Sequence, residues 1–162
     1  MIQARTKSVE DTRALGGELA PLTRPGDLLL VCGDLGAGKT AFTQGLGRGL
    51  GVEEPITSPT FILVRRYESD PPFVHVDVYR LDHLQEVLEL GIAELIDADA
   101  VVAIEWGDVV TPVLPSGFLQ IKLELGAADD ERLIEIRASG PRWASRMTAL
   151  KLALARWVVE EA

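Results

Sequence analysis

The order of apolar and polar positions divides the chain into alternating short helices and strands. Ser8 to Ala20 reads as a helix, with Leu15 and Leu19 four apart on one face and Ser8, followed by Asp11, in a capping-box position. Arg24-Pro-Gly-Asp27 then turns the chain into Leu28-Leu-Leu-Val-Cys32, an unbroken apolar run suited to a strand buried on both faces. A glycine-rich stretch follows, and then a helix over Lys39 to Leu50 that Gly51 is placed to stop.

Phe61 to Tyr67 and Phe73 to Val78 read as strands of a hairpin, because Ser69-Asp-Pro-Pro72 between them is a turn signal. Phe73, His75, Asp77 and Tyr79 share one face of the second strand, and the opposite face of Val74, Val76 and Val78 is the expected core face. Asp82 caps a helix through Leu90, ended by Gly91. Val101 to Glu105 is a second buried strand, and Phe118 to Leu125 and Leu133 to Ala138 are two more, joined by the acidic loop Ala127 to Arg132. Met147, Leu150, Leu154, Trp157 and Val158 form one stripe, which predicts a core-facing C-terminal helix over about 143–161. This alternation predicts an α/β fold: a mixed sheet with some antiparallel pairing, helices on both faces, and one domain over 1–162.

Composition supports a packed domain. Hydrophobic residues make up 47%, charged residues 25%, and mean hydropathy is +0.15, which excludes an intrinsically disordered chain. The longest apolar runs, such as Leu28–Cys32, fall far short of the ~20 residues of a membrane span, and the first residues lack the apolar segment of a signal peptide. Cys32 stands alone, so no internal disulfide forms, and a cytoplasmic location is expected. The net charge, 16 − 25 = −9, argues against a large nucleic-acid surface. Arg65, Arg66, Lys122, Arg132, Arg137, Arg142 and Arg146 are scattered and expected on solvated faces.

The chemistry concentrates in Gly33-Asp-Leu-Gly-Ala-Gly-Lys39-Thr40, which satisfies the phosphate-loop pattern. Its glycines let the backbone curl its N–H groups around an anion, and the helix that follows adds its positive end. Lys39 is placed for the β- and γ-phosphates, and the Thr40 hydroxyl for Mg²⁺. Such a site needs a carboxylate at a neighbouring strand end. Glu105 is the preferred metal ligand, and Asp77 is placed to act on the attacking water or on the metal shell. Thr57-Ser-Pro-Thr60 offers hydroxyls for sensing the γ-phosphate. Trp106, just beyond Glu105, reads either as a core residue or as one near the nucleotide, whereas Trp143 and Trp157 are expected to be packing residues. His75 and His83 have no partners at metal-ligand spacing.

Four ordered blocks resemble the TsaE (YjeE) family: Gly33 to Thr40; Ser58-Pro-Thr-Phe61 with Leu63, Val64 and Tyr67; His75-Val-Asp-Val-Tyr-Arg-Leu81; and Ile104-Glu-Trp106. The likeness runs from about Ser8 to Ala138. It implies a P-loop NTPase-like three-layer fold and a slow ATPase that uses ATP and Mg²⁺. That family acts with TsaB and TsaD in threonylcarbamoyl modification of adenosine 37, in tRNAs reading codons that begin with adenine. TsaE supports turnover of the transferase rather than performing the transfer. Carried over by motif, Gly33, Gly36, Ala37, Gly38, Lys39, Thr40 and Ala41 bind the phosphates, with Ser8, Trp106 and Arg132 as further nucleotide contacts. Thr40 and Glu105 hold the metal, and Lys39, Asp77 and Thr60 serve hydrolysis.

Two other readings share the loop: a small-molecule kinase and a non-catalytic nucleotide-dependent binding module. The first lacks an arginine-rich lid segment in this chain. No N-K-x-D segment is present, so ATP is expected over GTP. The acidic charge predicts weak affinity for free tRNA, with contact made mainly through partner proteins. A filter-binding titration at physiological salt checks this, and a sub-micromolar complex with tRNA alone contradicts it.

Overall fold

The computed structural model describes residues 1–57, 64–78, 91, 94, 99–106 and 117–160. In chain order these form β1 (Ile2–Thr6), α1 (Val9–Leu19), a 3₁₀ turn (Ala20–Leu22), β2 (Leu28–Cys32), α2 (Lys39–Gly49), β3 (Val64–Tyr67), β4 (Phe73–Asp77), β5 (Val101–Glu105), β6 (Phe118–Leu125) and β7 (Arg132–Ser139). Two short helices follow, α3 (Pro141–Ala144) and α4 (Met147–Ala153). The described strands make one seven-stranded sheet in the order β1-β7-β6-β2-β5-β4-β3. β2 pairs in parallel with β5 and β6, and β4 with β5, while β1–β7, β6–β7 and β3–β4 are antiparallel. The mixed sheet and the β3–β4 hairpin are as the sequence predicts, and the helix expected over Asp82 to Leu90 lies outside the described residues.

The buried run of β2 serves two cores because successive side chains point to opposite faces. Leu29 and Val31 join a cluster with Leu15 and Leu19 of α1 and Phe42 and Leu46 of α2. Leu28, Leu30 and Cys32 join Val74, Val76, Val102 and Ile104 on the other face. α1 and α2 pack backbone against backbone, since a Cβ on Gly45 would stand 1.9 Å from the Arg13 carbonyl oxygen. A Cβ on Gly16 would stand 2.5 Å from that of Phe42, so glycines set the spacing of this pair. Among the described residues, no helix is long and apolar enough to cross a membrane.

The structure adds one strand to the predicted elements and departs from three expectations. The strand β1 was not foreseen from the sequence, although Ile2, Ala4 and Thr6 alternate inward along it. In β4 the valine face is not the sole core face, because Phe73 and His75 on the opposite face are also fully buried; that face packs against α2, with Phe73 in one cluster with Phe42 and Leu46. The C-terminal helix stops at Ala153 rather than running over 143–161, with α3 and α4 as separate pieces. Leu150, Leu154 and Trp157 of the predicted stripe are still buried. Beyond Ala153 the backbone turns to the sheet edge: Arg5 N donates to Trp157 O at 2.9 Å and Val159 N to Gln3 O at 2.8 Å. The indole N–H of Trp157 donates to Asp11 at 2.7 Å. Those bonds outweigh continued helix.

Arg146, expected on a solvated face, is only 5% exposed. Its guanidinium donates to both oxygens of the buried Asp27 at 2.7 and 2.8 Å, and Arg142 adds a bond of 2.7 Å. Burial alone would raise the Asp27 carboxyl, but hydrogen bonds from Arg146, the Arg24 backbone and Arg142 hold it below its ordinary value of 3.8. The pair ties the tail to the start of β2. Removing one partner of a buried ion pair typically costs about 3–5 kcal/mol, and Asp27→Asn is expected to fall near that range in urea unfolding at neutral pH. Because the folded carboxyl is depressed, its contribution is complete above 3.8 and lost as pH falls through the folded value. The gap between wild type and variant therefore narrows on acidification; a gap independent of pH contradicts this account.

Candidate functional site

The site forms where β2 hands the chain to α2. Gly33 follows Cys32 with φ +147°, and a Cβ there would stand 2.5 Å from the Leu123 carbonyl oxygen of β6. Gly38, at φ +102°, is the left-handed residue that opens α2. Between them Ala37 N donates to Asp34 O at 3.0 Å and closes the turn. A glycine loop leading into a helix N-terminus makes a concavity suited to an anion. Ala41 lies in the first turn of α2.

Lys39 is 6% exposed. Its ammonium donates to Gly33 O at 2.7 Å and Asp34 O at 2.8 Å, and lies 3.8 Å from the centroid of the Trp106 ring. Trp106 adopts φ +63° and its backbone N–H donates to Val31 O at 2.8 Å. This left-handed turn just past β5 brings the indole over the lysine, a cation–π placement. Lysine and tryptophan, far apart in sequence, meet at the mouth of the loop, a contact that neither motif specifies.

The carboxylates sit where parallel strands end together. Cα register pairs Val31 with Glu105 and Asp77 with Glu105. Glu105 is 2% exposed. The Thr40 hydroxyl donates to its Oε1 at 3.2 Å, so the two expected metal-binding groups touch. Hydroxyl and carboxylate oxygens are the hard donors that Mg²⁺ takes, so this pair fits that ion. Asp77 lies on the same sheet face as Glu105 and is partly buried at the end of β4.

His75 went unassigned in the sequence analysis. Its ring is fully buried, with Nε2 3.2 Å from Glu105 Oε2. Its signals in the sequence are its two-residue spacing from Asp77 on one strand face and its place at the head of the third family-like block. The angle is not that of a hydrogen bond, and neither ring nitrogen has a hydrogen-bond partner among the described residues.

Two further candidates fall in different places. Arg132, the first residue of β7, reaches the loop: it donates to Ala37 O at 3.1 Å and Gly36 O at 3.2 Å. Ser8 caps α1, its hydroxyl accepting from Asp11 N at 3.0 Å, and its described bonds stay within that turn. Thr60, with Ser58, lies outside the described residues.

The family model for threonylcarbamoyl adenosine biosynthesis protein TsaE matches residues 6–134. The chain is 41% identical over 140 residues to the tRNA threonylcarbamoyladenosine biosynthesis protein TsaE of Streptomyces coelicolor, covering 82% of this chain and 94% of that protein. To the same protein of Bacillus subtilis it is 40% identical over 140 residues, covering 86% and 87% respectively. The crystal structure of Bacillus subtilis YdiB superposes with a TM-score of 0.80 at 35% identity, covering 94% of this chain and 97% of that one. With the mixed sheet and the strand–loop–helix unit, this likeness gives a P-loop NTPase-like fold, the class expected from the sequence.

The geometry at Gly33 yields a direct expectation. Gly33→Ala places a methyl group against the Leu123 carbonyl in a left-handed backbone. It should cost about 1–3 kcal/mol in thermal or denaturant unfolding, whereas Gly36→Ala, with no atom within 4 Å of its Cβ, leaves packing intact and meets only backbone strain. Equal stability of Gly33→Ala and wild type contradicts the close approach of loop and β6.

Proposed function

This chain belongs to the TsaE family, and on that premise we propose that it serves threonylcarbamoyl modification of tRNA as a Mg²⁺-dependent protein that binds and hydrolyses ATP. The observation that carries the reading is the contact of Thr40, from the helix that the phosphate loop opens, with Glu105 on the neighbouring strand end. A hydroxyl and a carboxylate meeting there are what a Mg²⁺–phosphate site requires.

Each residue has a role in this reading. The backbone of Gly33 to Gly38 and the first turn of α2 wrap the phosphates. Lys39 supplies a point charge to them, and its present hold on two loop carbonyls keeps the side chain within the loop. Thr40 and Glu105 hold Mg²⁺, which when bound offsets charge on the phosphoryl oxygens. Asp77, beside Glu105 in register, orients the attacking water or the metal shell. Trp106 shields the lysine from solvent.

In the same reading the protein works with TsaB and TsaD on adenosine 37 and supports turnover of that transferase. Family membership supports this assignment. The net charge of −9 fits a component that leaves RNA contact to its partners.

ATP turnover measured on single variants tests the site. Lys39→Ala should lose nucleotide affinity. Thr40→Ala and Glu105→Ala should lose Mg²⁺-dependent turnover by roughly a hundredfold or more, the scale of removing one electrostatic stabiliser. Asp77→Ala should keep nucleotide binding and lose turnover. Full Mg²⁺-dependent turnover in Glu105→Ala overturns the metal assignment. Failure to bind TsaB and TsaD at micromolar concentration with nucleotide present overturns the pathway reading.

A further inference from the structure

We propose that Arg132 is a positioning residue that holds the outer side of the phosphate loop, rather than a group that touches the nucleotide; this rests on the reading of the loop as a nucleotide site. The guanidinium is engaged with backbone carbonyls on two sides. Nε donates to Ala37 O at 3.1 Å and Nη2 to Gly36 O at 3.2 Å. Nη1 donates to Asp129 O at 2.8 Å and Glu131 O at 2.9 Å, in the turn between β6 and β7. The arginine stem also flanks the loop, since a Cβ on Gly38 would stand 3.9 Å from Arg132 Cγ. One side chain thus runs along Gly36, Ala37 and Gly38, and anchors them to the sheet through the Leu125–Arg132 pair.

The loop needs such a hold. Gly36 has φ +81°, and no atom lies within 4 Å of where its Cβ would be, so side-chain packing does not fix it. Glycine left unrestrained populates many backbone states. A loop that is mobile before binding must be ordered at the moment of binding, which weakens affinity. The planar fork of arginine suits several fixed carbonyls at once, whereas a lysine ammonium is a point donor. Engaging the Gly36 and Ala37 carbonyls from outside holds the loop backbone in place while the Ala37 N–H closes the turn onto Asp34 O. Because the loop serves phosphates common to ADP and ATP, loss of the hold should weaken both nucleotides by one factor.

Two measurements on Arg132→Ala and Arg132→Lys test this. Amide hydrogen exchange of the nucleotide-free protein should show Ala37 N–H, which donates to Asp34 O, exchanging at least about fivefold faster in both variants, with the β6–β7 ladder unchanged; an entropic loosening of a few loop torsions is of that order or more. ADP and ATP affinities of Arg132→Ala should fall by the same factor, on the order of tenfold. Unchanged Ala37 exchange in both variants overturns the proposal. So does an ATP affinity that falls tenfold further than that of ADP, which marks a γ-phosphate contact. Affinity fully restored by lysine while exchange stays fast also overturns it, assigning the residue to a charge contact with the ligand. If wild type binds neither nucleotide, the reading of the site fails, while the exchange result still decides the hold on the loop.

Discussion

The parallel register of β2, β5 and β4 is the constraint on which the site depends. It brings Val31, Glu105 and Asp77 to one sheet edge, where β2 passes into the phosphate loop. From that edge Thr40 reaches Glu105 across 3.2 Å. A one-residue slip of β5 would turn Glu105 to the opposite face. The register is held by burial on both faces, since every residue of β2 and β5 is buried. A carboxylate 2% exposed is costly unless charge or donors meet it. Thr40 supplies one donor, and a bound cation would supply the charge.

Around that edge the chain is braced from several directions. Gly16 and Gly45 let α1 and α2 approach at backbone distance, which packs the helix that carries Thr40 closely against its neighbour. Arg132 links the loop to β7. Farther away, Arg146 on Asp27, Trp157 on Asp11 and the Ala4–Val158 bridge fold the tail over β1 and the start of β2. The tail thereby pairs with backbone that would otherwise stand open at a sheet edge, a hazard for association. The tail contacts lie outside the phosphate loop, yet they fix the elements that shape it.

The parts legible in the sequence were those whose signal is local. Leu28–Cys32, the glycine loop and the Ser8 cap each carry their cause within a few residues, and each occurs where expected. The pairing of Thr40 with Glu105 was legible because motif chemistry demands a carboxylate at a neighbouring strand end. What stayed hidden depends on distant partners. β1 is short and weakly apolar, and its pairing surface on β7 is more than a hundred residues away. The end of α4 is set by Asp11, Gln3 and Arg5, which no periodicity in the tail reveals. His75 read as polar-face because its strand alternates, but that face of β4 is a core face as well, where His75 stacks on Phe73 and lies against Glu105. Arg146 read as solvated because the buried Asp27 that holds it lies in a turn with no strong pattern.

On the proposed reading, the edge formed by Thr40, Asp77 and Glu105 is the metal–nucleotide site. Replacing Mg²⁺ with Mn²⁺ in the presence of ADP, and recording paramagnetic broadening of assigned amide resonances, tests it most directly. The account predicts broadening centred on Gly38 to Ala41, Asp77 and Glu105, with the acidic turn at Asp129 and Asp130 much less affected. Broadening centred on that acidic turn, or spread evenly over exposed carboxylates, would contradict it.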